Sequence, residues 1–197
     1  MHDEDYFRLA VVGIFAFSIA IAGYHRVQAA RSGERISRRG EGLLLFLTLR
    51  CAGLILMIST VWRLVDPDRL HWARLPLPGA VRWLGLPLGL CGIALLYWAL
   101  TSLGKNLTDT VAIRANHTLI TQGPYRYVRH PFYVATFLLV LATSLLTADG
   151  LIAACGLLVF ALLAARAPTE EQKLIERFGD DYLRYAERTG RYLPRLW

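Results

Sequence analysis

Between His117 and Tyr133 the chain reads HTLITQGPYRYVRHPFY, a run dense in imidazole, phenol and guanidinium groups. Gly123-Pro124 forces a turn. Pro131 disfavours helical geometry at His130 and suits the first turn of a helix, so a helix should open there. His130 then stands at a helix N-terminus, where unpaired backbone N–H groups attract an anion or carboxylate. Tyr125, Tyr127 and Tyr133 add aromatic faces. A pocket so lined suits an adenosine group, although the same residues also suit anchoring at headgroup level. A second group comprises Arg166, Pro168, Glu170 and Glu171. Arg166 and Glu170 are four apart and share a helix face if Pro168 does not break the helix. Each also has a plain structural use. Arg166 can snorkel to the interface, and the glutamates can open a new amphipathic stretch after Pro168, as favourable charge at a helix N-terminus.

The elements that must position these groups are apolar blocks. The chain has 197 residues, 55% of them hydrophobic, with a formal net charge of +7 and a mean hydropathy of +0.38. A membrane span needs about 20 mostly apolar residues. Blocks of that kind run over Leu9–Tyr24, Leu43–Val65, Ala80–Leu100, Phe132–Ala148 and Leu151–Ala167. Five transmembrane helices are therefore expected, in an all-α polytopic membrane protein forming a single domain over 1–197. Residues 1–101 supply the N-terminal helices, and 102–197 hold the polar runs. Pro87 should kink or loosen the third block. Asp149-Gly150 is a turn signal, so the last two helices should form an antiparallel hairpin. The tail shows apolar residues at Leu174, Ile175, Phe178, Tyr182, Leu183 and Tyr185, interrupted by Gly179-Asp180. It reads as two short amphipathic helices on the membrane surface.

Loop charge sets orientation. Arg26, Arg31, Arg35, Arg38 and Arg39 follow the first block. Lys105, Arg114, Arg126 and Arg129 precede the fourth, and six basic residues lie after Pro168. These segments are expected in the cytoplasm, with the acidic N-terminus and the Asp149 turn outside. The first residues are acidic rather than basic, so the first block reads as a retained helix and not a cleaved signal. Arg50 lies inside the second block, where an ionised residue is a functional-site hypothesis by default; snorkelling is the preferred account. Cys51, Cys91 and Cys155 sit far apart in apolar blocks, which points to buried, inert thiols and to no metal site or disulfide. The basic charge lies between membrane blocks and suits anionic lipid, so no nucleic-acid partner is expected.

The run GPYRYVRHPFY, a hydrophobic hairpin, and then TEEQKLIERFGDDYLRYAERTGRYLPRLW together resemble the isoprenylcysteine carboxyl methyltransferase family, integral membrane enzymes that use S-adenosylmethionine. The resemblance covers about Leu103 to Trp197. It implies that His117, Thr118, Leu119 and Ile120 line the cofactor and that Tyr125 is an aromatic contact to it. It implies that His130, Pro131, Phe132 and Tyr133 form a turn wrapping the cofactor, that Glu170 touches it, and that Arg166 lies beside the methyl acceptor. One departure is Leu107, where many relatives carry tryptophan; it concerns the acceptor side.

The expectation is a membrane methyltransferase taking a methyl group from S-adenosylmethionine, with S-adenosylhomocysteine as product, to a carboxylate of a lipidic or isoprenylcysteine-like acceptor in the bilayer. A carboxylate is already ionised near neutral pH and needs no base, nor does the displacement need a metal. An amine acceptor, as in phospholipid N-methyltransferases, would need a base, for which His130 is the nearest candidate. A membrane reductase of the sterol type using NADPH, and a non-catalytic scaffold, are the readings from other classes.

Overall fold

The computed structural model describes residues 3–31, 43–66, 71–104 and 118–195. The fold is all-helical. In chain order the helices are α1 (Asp3–Ala30), α2 (Leu43–Val65), α3 (Gly79–Trp83), α4 (Gly85–Leu103), α5 (Pro131–Thr147), α6 (Gly150–Phe178) and α7 (Asp180–Arg188). Short 3-10 turns lie at His71–Ala73 and Gly123–Arg126.

Among the described residues, four segments are long and apolar enough to cross a membrane: α1, α2, the α3–α4 pair and α6. The fifth expected span, α5, has 17 residues and so rises about 26 Å, a little under the thickness of the hydrocarbon. It lies at the centre of the bundle, packed against α1, α4 and α6. Its hydroxyls are satisfied within the helix: Thr136 donates to Phe132 O (2.9 Å), Thr143 to Leu139 O (2.8 Å), Ser144 to Val140 O (2.8 Å) and Thr147 to Thr143 O (2.7 Å). In a bilayer this removes the need for water at those groups. Large apolar side chains such as Phe17, Leu44 and Leu157 stay exposed on the bundle surface, as contact with lipid requires. Cys51 and Cys91 are exposed there too. The expectation of buried thiols fails for these two because a membrane protein places apolar groups outward as well as inward.

The two internal prolines act differently from each other. Pro87 loosens one turn of the third block, one of the two effects expected of it. Its missing N–H and its ring act on the preceding turn, and the helix is interrupted at Leu84, between α3 and α4. Pro168 breaks nothing: α6 runs through it for 29 residues. Glu170 and Glu171 therefore lie in the interior of a long helix and do not open a new one. The first of the two expected tail helices is the end of α6; only α7, beyond Gly179 at φ +53°, is separate.

Close packing of α4 on α5 depends on glycines. A Cβ at Gly85 would lie 2.7 Å from Ala142 O and 2.7 Å from Leu146 Cγ, and one at Gly92 would lie 2.9 Å from Leu139 Cγ. Small residues at such a seam let helix backbones approach where no hydrophobic force drives association. Gly85→Val is expected to destabilise the protein by about 1–3 kcal/mol through overpacking, seen as a lowered thermal midpoint in detergent.

Charged side chains gather at the two ends of the bundle. At one end Arg82 pairs with Glu4, donates to Leu146 O (2.8 Å from Nη2) and lies over the Phe7 ring. Arg63 donates to Thr147 O (3.3 Å) and faces Asp149 at 3.6 Å. Asp149 caps α6 by accepting from Leu151 N (2.9 Å) and Ile152 N (3.1 Å). Arginines thus meet the negative C-terminal end of α5, and a carboxylate opens α6. A cleft lined by Glu4, Arg8, Arg63 and Arg82 opens here. Because the buried Arg63 and Arg82 already hold carboxylates and helix carbonyls, it is a structural end-cap, a full helix length from His130.

Candidate active site

The polar cluster forms where the N-terminus of α5 meets the C-terminal third of α6. His130 is the N-cap residue of α5, with Pro131 at the first helical position, as the local sequence predicts. Pro131 is fully buried, Phe132 is half-buried, and the Tyr133 ring stacks on the His130 ring, centroids 5.0 Å apart at 24°. Because α6 continues through Pro168, Arg166 and Glu170 stand one turn apart on one face. Arg166 Nε donates to Glu170 Oε1 at 2.7 Å, and the Tyr133 hydroxyl donates to Glu170 Oε2 at 2.8 Å. His130 Nδ1 lies 3.7 Å from the same carboxylate. Arg166 and His130 are both buried. Four residues picked from sequence, His130, Tyr133, Arg166 and Glu170, therefore form one connected group.

Tyr125 is buried beside them. Burial pushes its phenol well up from its ordinary value, and the Glu170 carboxylate adds to the shift. Thr118, Leu119 and Ile120 lie in an irregular run leading to the Gly123 turn, Thr118 exposed and the other two half-buried; nothing in the polar network draws on the two apolar ones. His117 and Leu107 lie outside the described residues. Arg50 is exposed, with its guanidinium 5.1 Å from the Phe46 ring centroid one turn nearer the start of α2, the disposition of a snorkelling side chain.

In the sequence Glu171 is grouped with Glu170 only as charge opening a helix; sequence reasoning missed its role in the site. Its Oε1 accepts from Arg129 Nε (2.9 Å) and Arg191 Nε (3.1 Å) and lies 3.2 Å from His130 Nε2. Its Oε2 accepts from Arg191 Nη2 at 2.5 Å. Arg129 also donates to Ala186 O (2.9 Å) and to Thr189 O. After α7 the chain returns along the 128–130 segment: Arg129 N donates to Gly190 O (2.9 Å) and His130 N to Arg191 O (3.1 Å). The Tyr185 hydroxyl donates to Tyr125 O at 2.7 Å, and burial pushes that phenol up to about 12, so it stays a donor at neutral pH. The tail thus straps the HPFY turn to α6. The one available signal was Glu171 itself, a carboxylate on a helix entering an apolar environment, where burial demands cationic partners.

This is a multi-pass helical membrane protein in which His130, Tyr133, Arg166, Glu170 and Glu171 converge at one end of a central hairpin. Residues 83–176, which hold His130, Tyr133, Arg166, Glu170 and Glu171, match the model of the isoprenylcysteine carboxyl methyltransferase family. The protein-S-isoprenylcysteine O-methyltransferase of Schizosaccharomyces pombe is 33% identical over 101 residues, covering 50% of this chain and 43% of that protein. The cobalt-zinc-cadmium resistance protein CzcN of Cupriavidus metallidurans is 35% identical over 83 residues, covering 42% of this chain and 38% of that protein. The solved structure of a eukaryotic intramembrane Ras methyltransferase, isoprenylcysteine carboxyl methyltransferase, superposes with a TM-score of 0.57 at 22% identity, covering 97% of this chain and 71% of that one; the fold is shared. The chain spans about half the length of the curated relatives it matches.

Proposed function

We propose that the protein is a membrane methyltransferase that uses S-adenosylmethionine to methylate a carboxylate on a lipidic or isoprenylcysteine-like acceptor. The observation that carries this reading is the connected group His130–Tyr133–Glu170–Arg166 at the polar end of the α5–α6 hairpin, within the family segment. The residues fit the donor. Glu170 offers negative charge and the Tyr133 and His130 rings offer π faces, both favourable to a sulfonium cation. The phenol hydroxyl of Tyr182 is buried without a hydrogen-bond partner among the described residues, as in a site where a polar ligand supplies the missing bond.

When bound, S-adenosylmethionine supplies a methyl group activated by positive charge on sulfur. The chain's own residues position and shield. Tyr133 and His130 wall one side of the site, and Glu170 is held in place by Arg166 and Tyr133. Arg166 is at the bilayer-facing side of Glu170 along α6, and its planar fork suits a second carboxylate, that of the acceptor. An acceptor already ionised at neutral pH asks for orientation and exclusion of water rather than for a base. The lipid bilayer is the route by which a lipophilic acceptor reaches Arg166. The N-terminus then lies outside, and the site and C-terminus lie in the cytoplasm, as the basic loops favour.

The test is calorimetric binding of S-adenosylhomocysteine to the full-length protein in detergent. Saturable binding is expected, weakened at least tenfold by Glu170→Ala and by His130→Ala; a folded, monodisperse sample that binds neither S-adenosylhomocysteine nor S-adenosylmethionine would refute the reading.

A further inference from the structure

Tyr192 is a polar group that this reading leaves without a task. It lies on the returning tail, two residues beyond the bridge between Val128 and Gly190. Its ring centroid is 5.8 Å from that of His130 and 5.9 Å from that of Phe160. The side chain packs against the cluster of Tyr133, Val159, Leu163 and Ala167. Phe160 lies about 15 Å deeper along α6 than Glu170, at 1.5 Å per residue. The Tyr192 ring therefore bridges the polar end of the site and the apolar seam between α2 and α6.

The Tyr192 hydroxyl is shielded from solvent and has no hydrogen-bond partner among the described residues. The charged groups it senses are Arg191, Glu171, Glu170 and Arg129. Both carboxylates are already engaged, Glu170 by Arg166 and Tyr133, Glu171 by Arg129, Arg191 and His130. Neither accepts from Tyr192. A buried donor left unpaired destabilises the fold unless a ligand completes it, and burial keeps this phenol protonated at neutral pH.

We propose that the Tyr192 hydroxyl donates a hydrogen bond to the carboxylate of the methyl acceptor, alongside Arg166, and so helps the site to select carboxylate headgroups; the assignment rests on the methyltransferase reading above. The acceptor is favoured over the amino-acid carboxylate of the donor because Tyr192 borders the seam by which a lipidic chain would enter.

Tyr192→Phe in the full-length protein, reconstituted in lipid nanodiscs, removes this one hydroxyl. The probes are S-adenosylhomocysteine, an S-prenylated cysteine with a free carboxylate, and its carboxamide. The expected result is an unchanged or raised thermal midpoint without ligand and S-adenosylhomocysteine affinity within twofold of the parent. The carboxylate probe should bind about tenfold to 100-fold more weakly, the worth of one hydrogen bond to a charged group, with the carboxamide unaffected. Weakening confined to S-adenosylhomocysteine would overturn the proposal and assign the hydroxyl to the donor. A lowered midpoint with unchanged affinities, or no change in any readout, would overturn it in favour of a structural tyrosine. A parent protein that binds S-adenosylhomocysteine but not the carboxylate probe would refute the acceptor contact and leave the donor site standing. Binding of neither would remove the methyltransferase reading and this assignment with it.

Discussion

Glu171→Gln is expected to abolish methyl transfer, with binding of S-adenosylhomocysteine weakened at least 100-fold, although Glu171 need not touch either substrate. The side chain keeps its shape but loses the charge that holds Arg129 and Arg191. Arg129 is 14% exposed and Glu171 11%; removing one partner of a buried pair costs about 3–5 kcal/mol because the other charge is left uncompensated. Arg191, at 42% exposed, contributes less by itself. Its importance is positional, since its carbonyl receives the His130 N–H and Tyr192 follows it. Releasing the tail therefore loosens the HPFY turn as well. Three measurements check this: calorimetry with S-adenosylhomocysteine, the thermal midpoint, and limited proteolysis, which should cut the variant after Arg188 faster than the parent. A variant with the parental midpoint and parental affinity would show that the Glu171 network is not what holds the site together.

Arg166→Lys is expected to lower kcat/KM about 100-fold with binding of S-adenosylhomocysteine within threefold of the parent. Lysine keeps the positive charge beside Glu170, so the carboxylate that Arg166 Nε holds at 2.7 Å stays compensated. What is lost is the rigid fork that can engage Glu170 and an acceptor carboxylate together, and a point charge on a flexible stem does not replace it. A misplacement of about 1 Å in a positioned acceptor can account for a loss of that size. Steady-state kinetics with a prenylated cysteine probe, beside calorimetry, separates the outcomes. Loss of S-adenosylhomocysteine binding in parallel with activity would place Arg166 with the donor, and unchanged kinetics would make it a structural partner of Glu170.

The sequence by itself determined the membrane class, the all-helical fold, the hairpin at Asp149-Gly150 and the opening of α5 at His130-Pro131. These follow from local rules: apolar block length, the φ restriction of proline and the turn preference of Asp-Gly act within a few residues, so they are legible without a fold. The one-turn spacing of Arg166 and Glu170 was legible too, but their pairing depended on whether the helix survives Pro168. The course of α6 through Pro168 was not legible, because proline reads as a breaker in isolation and only packing along the helix decides whether it is tolerated. The Glu171 network was not legible either. Arg129 and Arg191 stand 42 and 20 residues from Glu171, and in the sequence one is a further basic residue in the basic segment before the fourth block and the other a further basic residue in the tail. The tertiary structure alone decided their role, because a buried carboxylate must gather its counter-charges from wherever the chain returns, and here it returns as the strap that follows α7.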